Sequence, residues 1–301
     1  MSLNTLCDVT KLPLGRTGFS DIRRKGKIYV DKTALIASIA RQDNPLFLSR
    51  PRRFGKSLLV NTLHSLFARG LVDFNGLAIE KTWSDTTYPV IHLDFSGMAD
   101  SDPKELSYLL CSELIDQFCG EEIVPKLNVD TKISLPNEIL KKIGRRLQDS
   151  SVVLLIDEYD APLTHHIESP NDLQEIRCIL NNFYAVIKEY TSKFRFIFIT
   201  GVTRASHISI FSAFNNLEDL SFKKEYNTIL GFTKEEIVSF FDDYVANAAY
   251  VLGMEKKAVY TRLEQFYDGF QFSLNAEETL YNPWSILNFV KRPEEGFQNY
   301  W

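Results

Sequence analysis

Thiol chemistry is sparse in this chain of 301 residues: its four cysteines, Cys7, Cys111, Cys119 and Cys178, stand apart with no C-x-x-C spacing. That excludes a zinc site or redox pair built on neighbouring cysteines and makes reduced thiols, hence a cytoplasmic setting, the default expectation. No apolar run reaches the roughly 20 residues of a membrane span, and residues 1–10 lack the basic-then-apolar pattern of a secretory leader. Neither charge sign dominates, since 34 Lys and Arg stand against 39 Asp and Glu for a net charge of −5. A chain so balanced is not built chiefly to coat nucleic acid, although a local basic patch can still contact it. Internal repeats and low-complexity tracts are missing too. What remains, 45% hydrophobic and 24% charged residues, is the composition of a soluble globular protein with length for one large domain or two modest ones.

Within this mildly acidic chain one stretch is strongly basic: Ser49-Arg50-Pro51-Arg52-Arg53-Phe54-Gly55-Lys56-Ser57. The apolar residues 45–48 before it predict a short strand covered on both faces, and Leu58, Leu59, Leu63, Leu66 and Phe67 after it repeat at helical spacing. A basic turn between a buried strand and a helix start is a phosphate-binding layout. The helix N-terminus has unpaired N–H groups and a positive dipole end, while Lys56 and Ser57 can hold phosphate oxygens and Mg²⁺. The nucleotide contacts expected here are Arg52, Arg53, Phe54, Gly55, Lys56, Ser57 and Leu58. The pattern G-x-x-x-x-G-K-[ST] is met at Gly55, Lys56 and Ser57 and broken at its first glycine, where Arg50 stands. Glycine there normally permits a tight turn and close backbone approach. Either the loop follows another path stiffened by Pro51, or phosphate is gripped chiefly from the Gly55 side with help from the arginines.

A second constellation lies at residues 151–158, where an apolar strand delivers Asp157 and Glu158 at its C-terminal end. Ligands of open α/β sheets sit just beyond such ends. Asp157 is placed to hold Mg²⁺ opposite the Ser57 hydroxyl, and Glu158 to orient and deprotonate an attacking water. The plain alternative is that both carboxylates cap the next turn. Asp160 reads as a turn residue before Pro162. A further buried strand from residue 194 ends at Thr200, Gly201, Val202, Thr203 and Arg204. Thr200 or Thr203 can hydrogen-bond the water or a γ-phosphate oxygen. Arg204 has two readings, positive charge for the transition state or a solvated side chain packing its stem on the sheet edge.

The other segments predict an alternation of helix and strand. Asp31 or Thr33 caps a helix that precedes the first strand, and Asp31 also has a second reading, lining one side of a nucleotide base. Residues 88–95 form a strand on which His92 and Asp94 share a face, as a metal or acid–base pair or as a strand end that accepts backbone hydrogen bonds. Helices follow at 103–118 and 137–147, a long one spans 172–191, and residues 226–230 make a fifth strand stopped by Gly231. The expected fold is therefore α/β: a P-loop NTPase-type, three-layer, doubly wound, mainly parallel five-stranded sheet. From Phe232 the texture turns helical. A capping box from Thr233 to Glu236 opens a helix to about residue 246, with others at 256–266 and 283–290. A boundary near Gly231 divides a nucleotide domain, residues 1–231, from a small helical lid, 232–301. The aromatic run 266–272 reads as a tight turn packed into that small unit.

These motifs, taken in order, resemble one family. Tyr29-Val30-Asp31-Lys32-Thr33, Arg50-Pro51-Arg52-Arg53-Phe54-Gly55-Lys56-Ser57, Leu155-Ile156-Asp157-Glu158-Tyr159-Asp160, Thr200-Gly201-Val202, Tyr267-Asp268-Gly269 and Tyr281-Asn282-Pro283-Trp284-Ser285 are similar to those of the predicted AAA-ATPase-like proteins of bacteria. The resemblance implies ATP and Mg²⁺ binding and hydrolysis, with the arginine-rich loop a family trait. It also implies that a restriction-endonuclease-like nuclease domain often follows the lid. No Asp/Glu-x-Lys nuclease core is apparent in residues 1–301, so no nuclease chemistry is assigned to them. A second reading, from a different class, is an interaction module for nucleic acid or a partner protein, gated by nucleotide or independent of it. A homo-oligomer is among the assemblies left open.

Overall fold

A computed structural model describes residues 7–131, 134–203, 214 and 216–300. In chain order the elements are α1 (Phe19–Arg24), α2 (Thr33–Ala40), β1 (Leu46–Ser49), α3 (Lys56–Arg69), β2 (Val90–Asp94), α4 (Pro103–Ile115), α5 (Pro136–Gly144), β3 (Val152–Asp157), α6 (Ala161–His165), α7 (Pro170–Glu189), β4 (Phe194–Gly201), β5 (Glu218–Asp219), α8 (Lys234–Leu252), α9 (Lys256–Tyr267) and α10 (Pro283–Lys291). The strands form one sheet in the order β2-β3-β4-β1-β5, with every neighbouring pair parallel. No helix among the described residues is long and apolar enough to cross a membrane.

The apolar strand runs are explained by burial on both faces. Successive residues of a strand point to opposite sides. Val152, Leu154 and Ile156 of β3 therefore pack with α4, α5 and α7, while Val153 and Leu155 pack with α2 and α3 on the other face. Phe47 of β1 joins the first core, and Leu46 and Leu48 join the second. Three layers follow directly: helices, sheet, helices. Because β4 lies between β1 and β3, the loop after Ser49, the acids after Ile156 and the end of β4 at Gly201 sit side by side on one edge of the sheet.

The expected fifth strand is a correction. Residues 224–226 form a 3-10 turn, and the edge strand is instead Glu218–Asp219, paired with Leu46 and Phe47. Tyr226, Ile229 and Leu230 are apolar because they pack into the core on the α3 side of the sheet, not because they lie in it. Two smaller differences follow from local geometry. Helix α4 stops at Ile115 and passes into a π turn at Asp116–Gly120. Helix α8 opens with the expected Thr233–Glu236 capping box but runs on to Leu252, where Gly253 takes a left-handed conformation (φ 62°) and ends it.

Helices α8, α9 and α10 enclose a third core, with Ile237, Phe241, Val245, Val259, Leu263, Ile286 and Phe289 at its centre. Leu12 and Val30 from the N-terminal segment share it. Antiparallel bridges Phe232–Tyr281 and Phe270–Leu280 tie the entry of α8 to the segment between α9 and α10.

Candidate active site

The site begins with how the basic loop turns without its first glycine. Arg50 is 1% exposed and does not face the loop's outer surface. Its guanidinium donates to the carbonyls of Ser49 (2.9 Å), Ser221 (2.9 Å) and Tyr226 (3.0 Å), and lies 4.0 Å from the centre of the Phe272 ring. Burial pulls its pKa below the ordinary arginine value, and the charge of Asp219 opposes that shift. Arg50 is thus a strut beneath the loop rather than a phosphate contact. The positive backbone angles fall later, at Arg53 (φ 66°) and Gly55 (φ 98°). The left-handed residues of the loop are thus Arg53 and Gly55, and Arg50 needs no glycine-like conformation.

Gly55 leads into α3, so Lys56 and Ser57 occupy the first helical turn, whose N–H groups have no intrahelical partners. Lys56 is 5% exposed, and its ammonium folds back on the carbonyls of Arg50 and Pro51, 3.1 Å from each. Burial lowers its pKa, while Asp157, Glu158 and Asp160 pull the other way. The Ser57 hydroxyl lies near the Asp157 carboxylate and favours its charged form, which sets the loop beside the end of β3. Asp157 is raised above the usual carboxylate range, first by burial and also by the charge of Asp94, despite Ser57 and Lys56. Glu158 is half-buried and is also raised, by burial and then by Asp157. Its backbone is left-handed (φ 49°), a conformation uncommon for a non-glycine residue.

A cleft of about 450 Å³ opens in front of these groups, within the range of a small-molecule site. Arg52, Arg53, Phe54, Gly55, Lys56, Ser57, Leu58 and Glu158 all line it. Tyr29, Val30, Leu230 and Trp284 of α10 line it too and give the cleft an apolar wall. Arg53 reaches toward α10, 4.8 Å from the centre of the Trp284 ring, and donates to the Tyr300 carbonyl at 2.5 Å. Phe54 is a packing residue first: its ring is 1% exposed and meets Phe270 at 4.7 Å and Phe272 at 5.4 Å.

The model of the predicted AAA-ATPase family matches residues 13–211, well over half of the chain. The chain belongs to that family. It is 32% identical over 295 residues to an uncharacterized protein in the vnfD 5′ region of Azotobacter chroococcum mcd 1, covering 97% of this chain and 53% of that protein. The chain therefore spans about half the length of that relative. The solved structure of the Aeropyrum pernix ORC2 protein (ADPNP-ADP complexes) overlaps 78% of this chain and 67% of its own, with a TM-score of 0.36 at 12% identity.

Not every residue expected at the site of this predicted AAA-ATPase comes to it. Asp31 does not line the cleft. Its two oxygens are occupied by the N–H and hydroxyl of Thr33 and by the N–H of Ala78, so it secures α2 and the turn at Ala78–Lys81. Lys32 takes the cleft-facing place instead and pairs with Glu236 of α8 at 2.5 Å. Thr200 is fully buried, and its hydroxyl donates to the Leu48 carbonyl at 2.7 Å, which holds β4 to β1 rather than presenting a group to water or phosphate. Arg204 lies outside the described residues. His92 and Asp94 do not act as a pair: Asp94 caps the turn at Ser96, and His92 faces His64, ring centres 6.3 Å apart. Among the described residues no group of three or more His, Cys, Asp or Glu is placed to hold a metal.

Two acids were underread in the sequence of this AAA-ATPase family member. Asp94 stands in register with Asp157 across β2 and β3 and adds negative charge to the site. Register between strands separated by a long stretch of chain has no local sequence signal. Asp160 is 2% exposed and binds the end of β4, a role that turn propensity does not reveal.

Proposed function

We propose that this chain is a Mg²⁺-dependent ATPase whose nucleotide lies in the cleft between the basic loop and α10. The observation that carries the reading is Lys56 folded onto the Arg50 and Pro51 carbonyls of its own loop, with Ser57 and the Asp157 carboxylate beside it. In that arrangement a hydroxyl and a carboxylate stand near each other, the donors a cation would take. The Lys56 ammonium is held by two neutral carbonyls, partners that a charged phosphate oxygen readily outcompetes. Mg²⁺, when bound, would neutralise charge on the β- and γ-phosphates.

The chain's own groups supply the rest. N–H groups of the first turn of α3 cradle phosphate, and Lys56 contacts the β- and γ-oxygens. Glu158, its proton affinity raised by burial and by Asp157, accepts a proton from the attacking water. Tyr29, Val30 and Leu230 provide apolar surface for a base. The family name supports adenine nucleotide. The helical unit from residue 232 acts as a lid in this reading, since Trp284 lines the cleft and Lys32 ties α8 to the segment before α2. A cytoplasmic setting fits an ATP-using protein with free thiols.

The test is ATP binding and steady-state hydrolysis by the wild type, Lys56→Ala and Glu158→Gln. The reading expects turnover in the wild type, no binding in Lys56→Ala, and binding without turnover in Glu158→Gln. Normal turnover by Glu158→Gln would remove the residue from its role. Binding without turnover by the wild type, with or without DNA, would favour a nucleotide-gated interaction module.

A further inference from the structure

Glu158 is held in an uncommon backbone conformation, and the residues that hold it are on the next strand. From Asp157 the chain turns sharply: the Glu158 N–H donates to the Asp157 carboxylate at 2.9 Å, and the Glu158 carbonyl accepts from Ala161 at 2.9 Å. The turn is then fastened to β4 at several points. The Tyr159 N–H donates to the Thr200 carbonyl at 3.1 Å, and the Tyr159 hydroxyl donates to the Thr203 carbonyl at 3.1 Å. The Asp160 carboxylate accepts the Val202 N–H with both oxygens, at 3.2 Å each, and the Thr203 N–H at 2.6 Å. Asp160 and Tyr159 are 2% and 0% exposed, so water cannot substitute for either. The approach is close enough that a Cβ on Gly201 would lie 2.4 Å from an Asp160 oxygen and 2.5 Å from the Tyr159 ring.

A buried carboxylate with no cationic partner among these bonds is expensive, and accepting backbone N–H groups is what stabilises it. Capping one local turn could be done by an exposed Asp or Ser. Clasping a strand some 40 residues away along the chain, with glycine kept at the contact, serves a longer-range purpose. A left-handed non-glycine residue persists only where its surroundings over-determine it. Here the surroundings are the β4 clasp.

We infer that Asp160 is a positioning residue: by binding the Val202 and Thr203 N–H groups it fixes the turn that presents Glu158 to the cleft and couples that base to the end of β4. The inference rests on the ATPase reading of Glu158. Asp160 touches no substrate, so its loss acts on the reacting step and spares binding by the loop.

The experiment compares the full chain with Asp160→Asn and the milder Tyr159→Phe, measuring affinity for a fluorescent ATP analogue with Mg²⁺, kcat, KM and thermal midpoint. Asparagine keeps one acceptor oxygen, removes the charge and turns an N–H₂ toward the Val202 N–H, so the clasp is weakened while size is kept. Asp160→Asn is expected to keep analogue affinity and KM within about threefold while kcat falls about thirtyfold or more, a part of the 10²–10⁴ a placed general base contributes. Tyr159→Phe should fold normally and show the same split in smaller measure, a kcat loss of about three- to tenfold. Losses of affinity and thermal midpoint in proportion to kcat in both variants would mark a structural role only and overturn the inference. Wild-type kcat in both would also overturn it, with the ATPase reading intact. A wild type that binds nucleotide and never turns it over would overturn both.

Discussion

The guanidinium of Arg50 stacks 4.0 Å from the centre of the Phe272 ring, joining the position of the missing loop glycine to the segment between α9 and α10. Three carbonyls, of Ser49, Ser221 and Tyr226, complete its surroundings. Restoring the motif glycine with Arg50→Gly is therefore expected to harm the protein. It leaves buried carbonyls without donors and a cavity under the loop, for a loss of about 3–5 kcal/mol. Urea unfolding of the variant against wild type checks this, with nucleotide affinity expected to stay level or fall. A variant of undiminished stability with tighter binding would contradict the strut.

The raised pKa of Asp157 carries a stability prediction. A carboxylate whose folded pKa lies above its unfolded value makes the folded state bind protons more readily. Stability then falls as pH rises through the window from the ordinary carboxylate value to the raised one, and stays lower above it. Asp157→Asn removes that cost and keeps an oxygen for the Glu158 N–H. At neutral pH and without nucleotide it should be more stable than wild type by about 0.5–2 kcal/mol, while the stabilisation given by Mg²⁺ and ATP disappears. Thermal unfolding with and without Mg²⁺ and ATP reads both effects.

Glu158 predicts the acid limb of the rate profile. Burial, then Asp157, raises its pKa, so it holds its proton at pH values where an ordinary glutamate, near about 4.3, would have lost it. A protonated Glu158 accepts no proton from water, and kcat should fall as pH is lowered through a value above that range. In Glu158→Gln the limb should vanish along with about 10²–10⁴ of the rate. A limb of the same position in the variant would place the titrating group elsewhere.

How far the sequence alone reaches is visible in these same residues. β1 through β4 were legible because strands covered on both faces need continuous apolar runs. β5 was not, because Glu218 and Asp219 pair with only two residues of β1 and carry no apolar signal, while Tyr226, Ile229 and Leu230 imitate a strand by packing beneath one. The placement of Lys56, Ser57, Asp157 and Glu158 was legible because each stands at a strand end or a helix start. Asp31 and Thr200 were misplaced because a polar residue beside a site does not announce which backbone group it will bind. Asp160 was underread for the same reason, its partners Val202 and Thr203 being far away in the chain.

Trp284 supplies a reporter for the last prediction. It lines the cleft and lies 4.8 Å from Arg53, whose guanidinium also donates to the Tyr300 carbonyl. A charged phosphate is a stronger partner for Arg53 than a neutral carbonyl or a ring face. Nucleotide entering the cleft should draw Arg53 from Trp284 and change that indole's surroundings. The chain has three tryptophans, and Trp83 is buried beside Phe67, on the core packed between α3 and the sheet. Titrating ATP and Mg²⁺ should shift tryptophan emission in the wild type, and the shift should disappear in Trp284→Phe but persist in Trp301→Phe. Affinity by calorimetry should stay within about tenfold, the scale of one exposed cation–π contact. Arg53→Ala should weaken the shift with Trp284 still present, which separates movement of the arginine from direct contact between base and indole. An unchanged emission at saturating nucleotide in the wild type would mean that α10 does not sense the occupant of the cleft.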